Sequence, residues 1–241
     1  EALCPLDLTF EAGRTTAILG PSGCGKSTLL RMIAGLERPS AGEVRIGGET
    51  PRAVRRKAGL AVAFQEASLL PWRTVRGNIS LALKLARRPA EPEAVDDMIT
   101  RVALDGFGDT RPAELSGGMR QRAAIARCLI TEPGLLLLDE PFGSVDELTR
   151  LRLNLDLPRL WEARGTTAIL VTHSVSEAVL LADRVIVLSA RPASLTADIP
   201  IPLDRPRSPE MLKTGEFRDL VDKVSAALSA GSGRQQPMAA E

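Results

Sequence analysis

The chain has 241 residues, 44% of them hydrophobic and 25% charged, with a formal net charge of +1. That size and composition suit one large globular domain or a core carrying an inserted subdomain. The near-neutral balance excludes the broad basic field of a nucleic-acid binder. A single histidine argues against a histidine-based zinc site.

No apolar run reaches the length that spans a bilayer, and no signal peptide opens the sequence. Cys4, Cys24 and Cys128 are scattered without a pairing pattern, as in a reducing cytosol. In chain order, Thr16 to Leu19 is a short apolar run that predicts a buried strand. After a glycine-rich turn, Leu29, Leu30, Ile33 and Leu36 recur at helical spacing, and Pro39 is expected to stop that helix. Glu43 to Ile46 with the Gly47-Gly48 turn predicts a small hairpin, and Leu60 to Phe64 another strand.

Residues 74–130 carry helical patterns broken by Pro and Gly. Four consecutive leucines, Leu135 to Leu138, predict a strand buried on both faces, and Thr167 to Val171 and Val185 to Leu188 repeat the type. Strands alternating with helices imply a parallel α/β sheet. Arg191 to Pro209 is proline-rich and extended, Phe217 to Leu228 reads as an amphipathic helix, and Gly231 to Glu241 is expected to be disordered.

Two stretches carry chemistry. Gly20-Pro21-Ser22-Gly23-Cys24-Gly25-Lys26-Ser27-Thr28 matches G-x-x-x-x-G-K-[ST], with a strand before it and a helix after. Its glycines let backbone N–H groups curl around phosphate oxygens, and the helix start adds positive potential. Lys26 should reach the β- and γ-phosphates and Ser27 should hold Mg²⁺. The four leucines run into Asp139-Glu140. A carboxylate ending a buried strand is costly unless it meets a cation, which beside such a loop is Mg²⁺ held by Asp139. Glu140 is placed to polarise an attacking water. Alone, an Asp-Glu pair is more often a solvated strand end; next to the phosphate loop the functional reading prevails.

Leu115-Ser-Gly-Gly-Met-Arg-Gln-Arg122 opens a helix, and Ser116, Gly117 and Gly118 present a second anion-binding helix start. This stretch resembles the signature of ABC ATPases, L-S-G-G-x-x-Q-R, without a mismatch. The resemblance implies a P-loop NTPase (RecA-like) α/β core with a small antiparallel β subdomain and an inserted α-helical subdomain. It implies ATP and Mg²⁺ as cofactors. It also implies a homodimer in which the P-loop of one subunit and the signature of the other enclose ATP.

Three further elements fall in the family's order. Gln65, in Ala63-Phe-Gln-Glu66, resembles the Q-loop glutamine that touches Mg²⁺ and the attacking water. Asp146, in Gly143-Ser-Val-Asp146, resembles the D-loop, although the family more often has Ala-Leu before the Asp. His173, in Val171-Thr-His-Ser174, resembles the switch histidine at the γ-phosphate. A lone histidine is more often structural than catalytic; the neighbours and position decide here. By the same resemblance Glu140, His173 and Gln65 are the catalytic set, Ser27, Gln65 and Asp139 the metal set, and the P-loop with Ser116, Gly117, Gly118 and Asp146 the nucleotide set.

The resemblance divides the chain into an ATPase domain over 1–190, with a core of 1–73 and 131–190 and a helical subdomain over about 74–130, and an appendage over 191–241. The adenine-stacking aromatic of the family would lie just upstream of Ala2-Leu3, before this numbering begins, and the chain has no tyrosine. Cys24, inside the phosphate loop, is expected to be shielded from alkylation by ATP. Phe64 to Val75, Glu140-Pro-Phe-Gly143 and Ser189-Ala-Arg-Pro-Ala-Ser194 resemble the nitrate, sulfonate and taurine importer group.

That group implies separate transmembrane permease subunits, indirect work with a substrate-binding protein, and a peripheral place on the cytoplasmic face of the bacterial inner membrane. Leu69, Leu70 and Trp72 are candidates for an apolar anchor on the permease. The alternative, a non-transport ABC ATPase acting on DNA or ribosomes, lacks the coiled coils, paired ATPase domains and basic extensions such proteins carry.

Overall fold

The computed structural model describes residues 2–89, 91–143, 145 and 147–233. Asp146 and residues 234–241 of the tail expected to be disordered lie outside the described residues.

The chain opens with an extended segment leading into β1 (Thr15–Leu19), the phosphate loop and α1 (Lys26–Ile33). α2 (Pro51–Arg56), β2 (Leu60–Ala63), α3 (Val75–Leu85) and α4 (Pro92–Arg101) follow, then α5 (Gly117–Leu129) and β3 (Leu135–Asp139). The second half holds α6 (Glu147–Asp156), α7 (Pro158–Glu162), β4 (Thr167–Val171), α8 (Val175–Leu181), β5 (Arg184–Leu188), β6 (Leu195–Pro200) and α9 (Gly215–Ser232). No helix among the described residues is long and apolar enough to cross a membrane.

One sheet of order β2-β3-β4-β1-β5-β6 forms the centre. The first five strands are parallel, and β6 adds antiparallel to β5. The leucine run of β3 is explained by the pleat: successive side chains point to opposite faces. Leu136 and Leu138 enter the core shared with α3, α5 and α8, while Leu135 and Leu137 enter the core that α1 covers. Both faces are apolar because helices cover both. In β4, Ala168 and Leu170 face the first core and Ile169 and Val171 the second.

Four expectations are corrected. The first helix ends at Ile33, before Leu36, which is half exposed. It stops at Gly35, whose φ of +66° only glycine adopts readily and whose absent Cβ would sit 2.9 Å from that of Pro51. In the expected hairpin, Gly47-Gly48 does turn the chain, but only the bridge Ile46–Glu49 forms and no strand follows. The segment after 190 is not hung outside the core: β6 joins the sheet, and α9 buries Phe217 and Val224 in the main core. α9 runs to Ser232, past the expected boundary at Gly231.

Candidate functional site

The ends of three neighbouring strands, β3, β4 and β1, meet at one edge of the sheet, the carboxyl edge where open α/β sheets bind ligands. β1 delivers the phosphate loop. Gly25 caps α1 at φ +117°, in a region closed to residues with a side chain, and Leu3 packs so close that a Cβ there would meet it at 2.9 Å. Lys26 is 7% exposed, and its ammonium donates to Gly20 O at 2.8 Å and Pro21 O at 2.9 Å. Cys24 Sγ lies 4.0 Å from Lys26 Nζ. Cys24 is itself buried, so burial, before any ligand, already limits its alkylation.

β3 delivers the carboxylates. Asp139 is 8% exposed and accepts a hydrogen bond from Ser27 Oγ at 3.1 Å. Burial holds its carboxyl above the usual range, the Ser27 hydrogen bond pulls it back, and neighbouring Glu140 pushes the same way as burial. The next residue leaves the strand abruptly: Glu140 has φ +47°, a left-handed conformation that costs an ordinary residue about 1–2 kcal/mol. Its N–H donates to Val171 O at 2.9 Å, which fixes the bend against β4. Glu140 Oε2 accepts from Gln65 Nε2 at 3.4 Å and lies 3.4 Å from His173 Nδ1. Gln65, Glu140 and His173 therefore converge on one oxygen, and Ser27 and Asp139 form a second pair beside them.

The direct hydrogen-bond partners of the two buried charges here are neutral groups. Lys26 is a buried cation whose hydrogen-bond partners are backbone carbonyls and a thiol, and Asp139 is a buried carboxylate held by a neutral hydroxyl. Buried charges need partners. A polyphosphate carrying a divalent cation satisfies both at once, so these residues fit a magnesium nucleotide. Among the described residues no group of three or more His, Cys, Asp and Glu could hold a metal.

The signature residues sit at the start of α5. Ser116 caps the helix, accepting from Met119 N at 3.2 Å. Val145, in the loop after β3, packs over Gly118, where a Cβ would lie 3.3 Å from Val145 Cγ1. α5 also braces the Q-loop: Gln121 donates to Phe64 O at 3.3 Å, and Arg127 to Ala67 O and Ser68 O at 3.1 and 2.7 Å. A cavity of about 380 Å³ lies between them, lined by Gln65, Glu66 and Arg120.

Several residues that do this work are absent from the sequence-based set. Asn78 is fully buried, accepts from Leu70 N at 2.8 Å and donates toward Leu70 O, Arg73 O and Thr74 O, pinning the segment beyond Gln65. Of the three apolar anchors expected there, Leu69 packs into the core and Leu70 is half-buried, whereas Trp72 is 68% exposed. Glu177 is buried behind His173. The one available signal for it was the spacing Ser174-x-x-Glu177 of a helix capping box.

With this geometry in place, comparison with known proteins gives a consistent answer. Residues 3–143 match the family model described as ABC transporter. An uncharacterised ABC transporter ATP-binding protein of Methanocaldococcus jannaschii is 42% identical over 220 residues, 90% of this chain and 82% of that protein. The aliphatic sulfonates import ATP-binding protein of Pseudomonas putida is 47% identical over 208 residues, 86% of this chain and 74% of its own length. Its namesake in Bacillus cereus is 42% identical over 232 residues, 96% and 90% of the two chains.

A solved dimeric ATP-binding cassette, in a post-hydrolysis state with ADP and phosphate, superposes with a TM-score of 0.75 at 30% identity, covering 84% of this chain and 92% of its own. The chain belongs to the ABC transporter family and has the fold of its ATP-binding cassette.

Proposed function

We propose that this chain is the ATP-binding and ATP-hydrolysing subunit of an ABC importer that takes up an aliphatic sulfonate or a related small solute such as taurine or nitrate. The observation that carries the reading is the convergence at the strand ends: buried Lys26 held on loop carbonyls, buried Asp139 on the Ser27 hydroxyl, and, from the next residue of the chain, the Gln65–Glu140–His173 cluster. The aliphatic sulfonate importer relatives support the solute class.

In this reading the β- and γ-phosphates lie on the loop 20–28, with the Lys26 ammonium moving from Gly20 O and Pro21 O onto them. Ser27, Asp139 and Gln65 would hold Mg²⁺, which would supply neutralisation of phosphate charge. Glu140 accepts the proton of the attacking water or orients it for in-line attack. His173 and Gln65, which already meet the Glu140 carboxylate, hold its direction. Ser116, Gly117 and Gly118 of a second copy, with Asp146 in the loop beside them, close over the γ-phosphate, so that two nucleotides bind two copies together. Hydrolysis removes the bridging charge and the copies part, a population shift set by the affinity of ATP for the closed state. Separate transmembrane permease subunits, a substrate-binding protein and a peripheral place on the cytoplasmic face of the bacterial inner membrane complete the assembly.

Phosphate release from MgATP by the purified chain, beside a Glu140→Gln control, tests the motor. Hydrolysis by the unaltered chain alone supports it; binding of neither ATP nor ADP overturns it. Uptake of labelled sulfonate into vesicles holding the chain with its permease tests the solute.

A further inference from the structure

His173 stands on a turn that is built by a residue outside the nucleotide site. Thr172 before it is 1% exposed and Ser174 after it caps α8. Ser174-x-x-Glu177 has the spacing of a capping box, in which the glutamate would accept from the Ser174 N–H. The structure departs from that pattern. Ser174 Oγ does accept from Glu177 N at 3.3 Å, but the Ser174 N–H donates to Thr172 Oγ1 at 3.1 Å, and the Thr172 hydroxyl donates in turn to Glu177 Oε2. Both residues flanking His173 are thus tied to Glu177.

The same carboxylate faces α6. Burial raises it above the usual range, while the Thr172 hydroxyl, the Arg150 guanidinium, His173 and Asn154 favour its charged form. Arg150 donates through Nη2 to Val145 O at 2.8 Å, and Val145 packs on Gly118. These contacts join the turn of His173 to Glu177 through Thr172 and Ser174, and, separately, Arg150 of α6 to Val145 beside the signature helix. Glu177 is 6% exposed and its Oε1 has no hydrogen-bond partner among the described residues. For stability alone an apolar side chain at such a position is the better choice, so the carboxylate answers to something other than packing.

We propose that Glu177 is a positioning residue for ATP hydrolysis, which sets the His173 turn through Thr172 and Ser174. This rests on the hydrolytic role proposed above. A residue acting in this way affects turnover and leaves nucleotide affinity alone, because its groups touch neither the phosphate loop nor the Ser27–Asp139 pair.

The full-length chain with MgATP is the test. Glu177→Ala is expected to lower kcat by about 10²-fold, the usual consequence of a catalytic group displaced by an ångström, with KM changed by less than about threefold. Glu177→Gln, which keeps an acceptor for the Thr172 hydroxyl, should recover most of the activity. Thr172→Val, which deletes only the hydroxyl in the middle of the relay, should reproduce the Glu177→Ala loss and carries the test where that variant does not fold.

His173 is the chain's one histidine, so its imidazole resonances report the turn directly in the nucleotide-free protein. They are expected to move or broaden in Glu177→Ala and Thr172→Val and to hold their positions in Glu177→Gln. Wild-type kcat in Glu177→Ala, or a lost kcat with unmoved His173 resonances, overturns the proposal. An unaltered chain that hydrolyses no ATP refutes the proposed function instead, and the imidazole spectra then decide the positioning role on their own.

Discussion

Ser27 Oγ and Asp139 Oδ1 lie 3.1 Å apart although 112 residues separate them in the chain. The hydroxyl opens α1 and the carboxylate closes β3, so their meeting is set by the sheet and by the helix that follows β1. Asp139→Asn keeps the shape and the hydrogen bond but removes the charge that a divalent cation requires. MgATP hydrolysis should fall by about 10²-fold or more, with a raised Mg²⁺ requirement; a Mg²⁺ titration of phosphate release checks it.

The same substitution should act in the opposite direction on the nucleotide-free protein. Burial raises the Asp139 and Glu177 carboxyls in the folded state above their ordinary values of 3.8 and 4.5. The folded chain therefore holds these protons more tightly than the unfolded chain. Their contribution to stability is fullest at acid pH and declines as pH rises through and above those values, the reverse of a salt-bridged acid. Asp139→Asn should raise the Tm of the free chain at neutral pH and flatten this part of the pH dependence. Thermal melts of both proteins across the range provide the comparison.

Glu140→Gln leaves the left-handed bend intact and still offers an oxygen to Gln65, but removes the base. Turnover should fall by about 10²–10⁴-fold while ATP is still bound, and the ATP-loaded chain should accumulate as a dimer. Light scattering with and without MgATP reads the mass; a monomer under saturating ATP would contradict the two-copy site.

Lys26→Ala removes an ammonium that bridges two loop carbonyls in the free chain and, in the proposed complex, meets phosphate oxygens. Nucleotide Kd should rise about 10- to 100-fold, the worth of a charge-assisted hydrogen bond or two. Isothermal titration with a slowly hydrolysed ATP analogue measures it.

Asn78 has no part in the chemistry, yet its amide holds four backbone groups between Leu70 and Thr74. Leu70 O and Thr74 O keep backbone donors, but Asn78→Ala strands Leu70 N–H and Arg73 O and should cost about 1–3 kcal/mol, seen as a lower urea midpoint. The segment bearing exposed Trp72 should loosen with it, and the fluorescence of Trp72 against that of buried Trp161 reports the change.

Much of this was legible in the sequence because the phosphate loop, the Asp139-Glu140 strand end and the helix start at Ser116 are contiguous patterns with local physical causes. The parallel strands were legible for the same reason, as short runs apolar on both faces. β6 was not: Leu195–Pro200 is an edge strand whose burial alternates poorly, and its proline-rich surroundings suggested extended chain without a partner. Pro39 misled where Gly35 stops α1, because a left-handed cap beside Pro51 depends on a contact distant in sequence. Asn78 and Glu177 escaped since a polar residue on a helix normally faces water, and only tertiary packing buries these two.

The pairing of Asp139 with Val171 across β3 and β4 carries a consequence for mutational studies. Glu140 is one residue beyond that pair and His173 two, so their separation is measured out by ladder hydrogen bonds several residues inside the sheet. Leu137 and Ile169 are partners deep in that ladder, and in the proposed mechanism they set the spacing of Glu140 and His173 from inside the sheet. Altering their volume should slow the reaction at strengths that leave the fold intact, making these core positions kinetic ones.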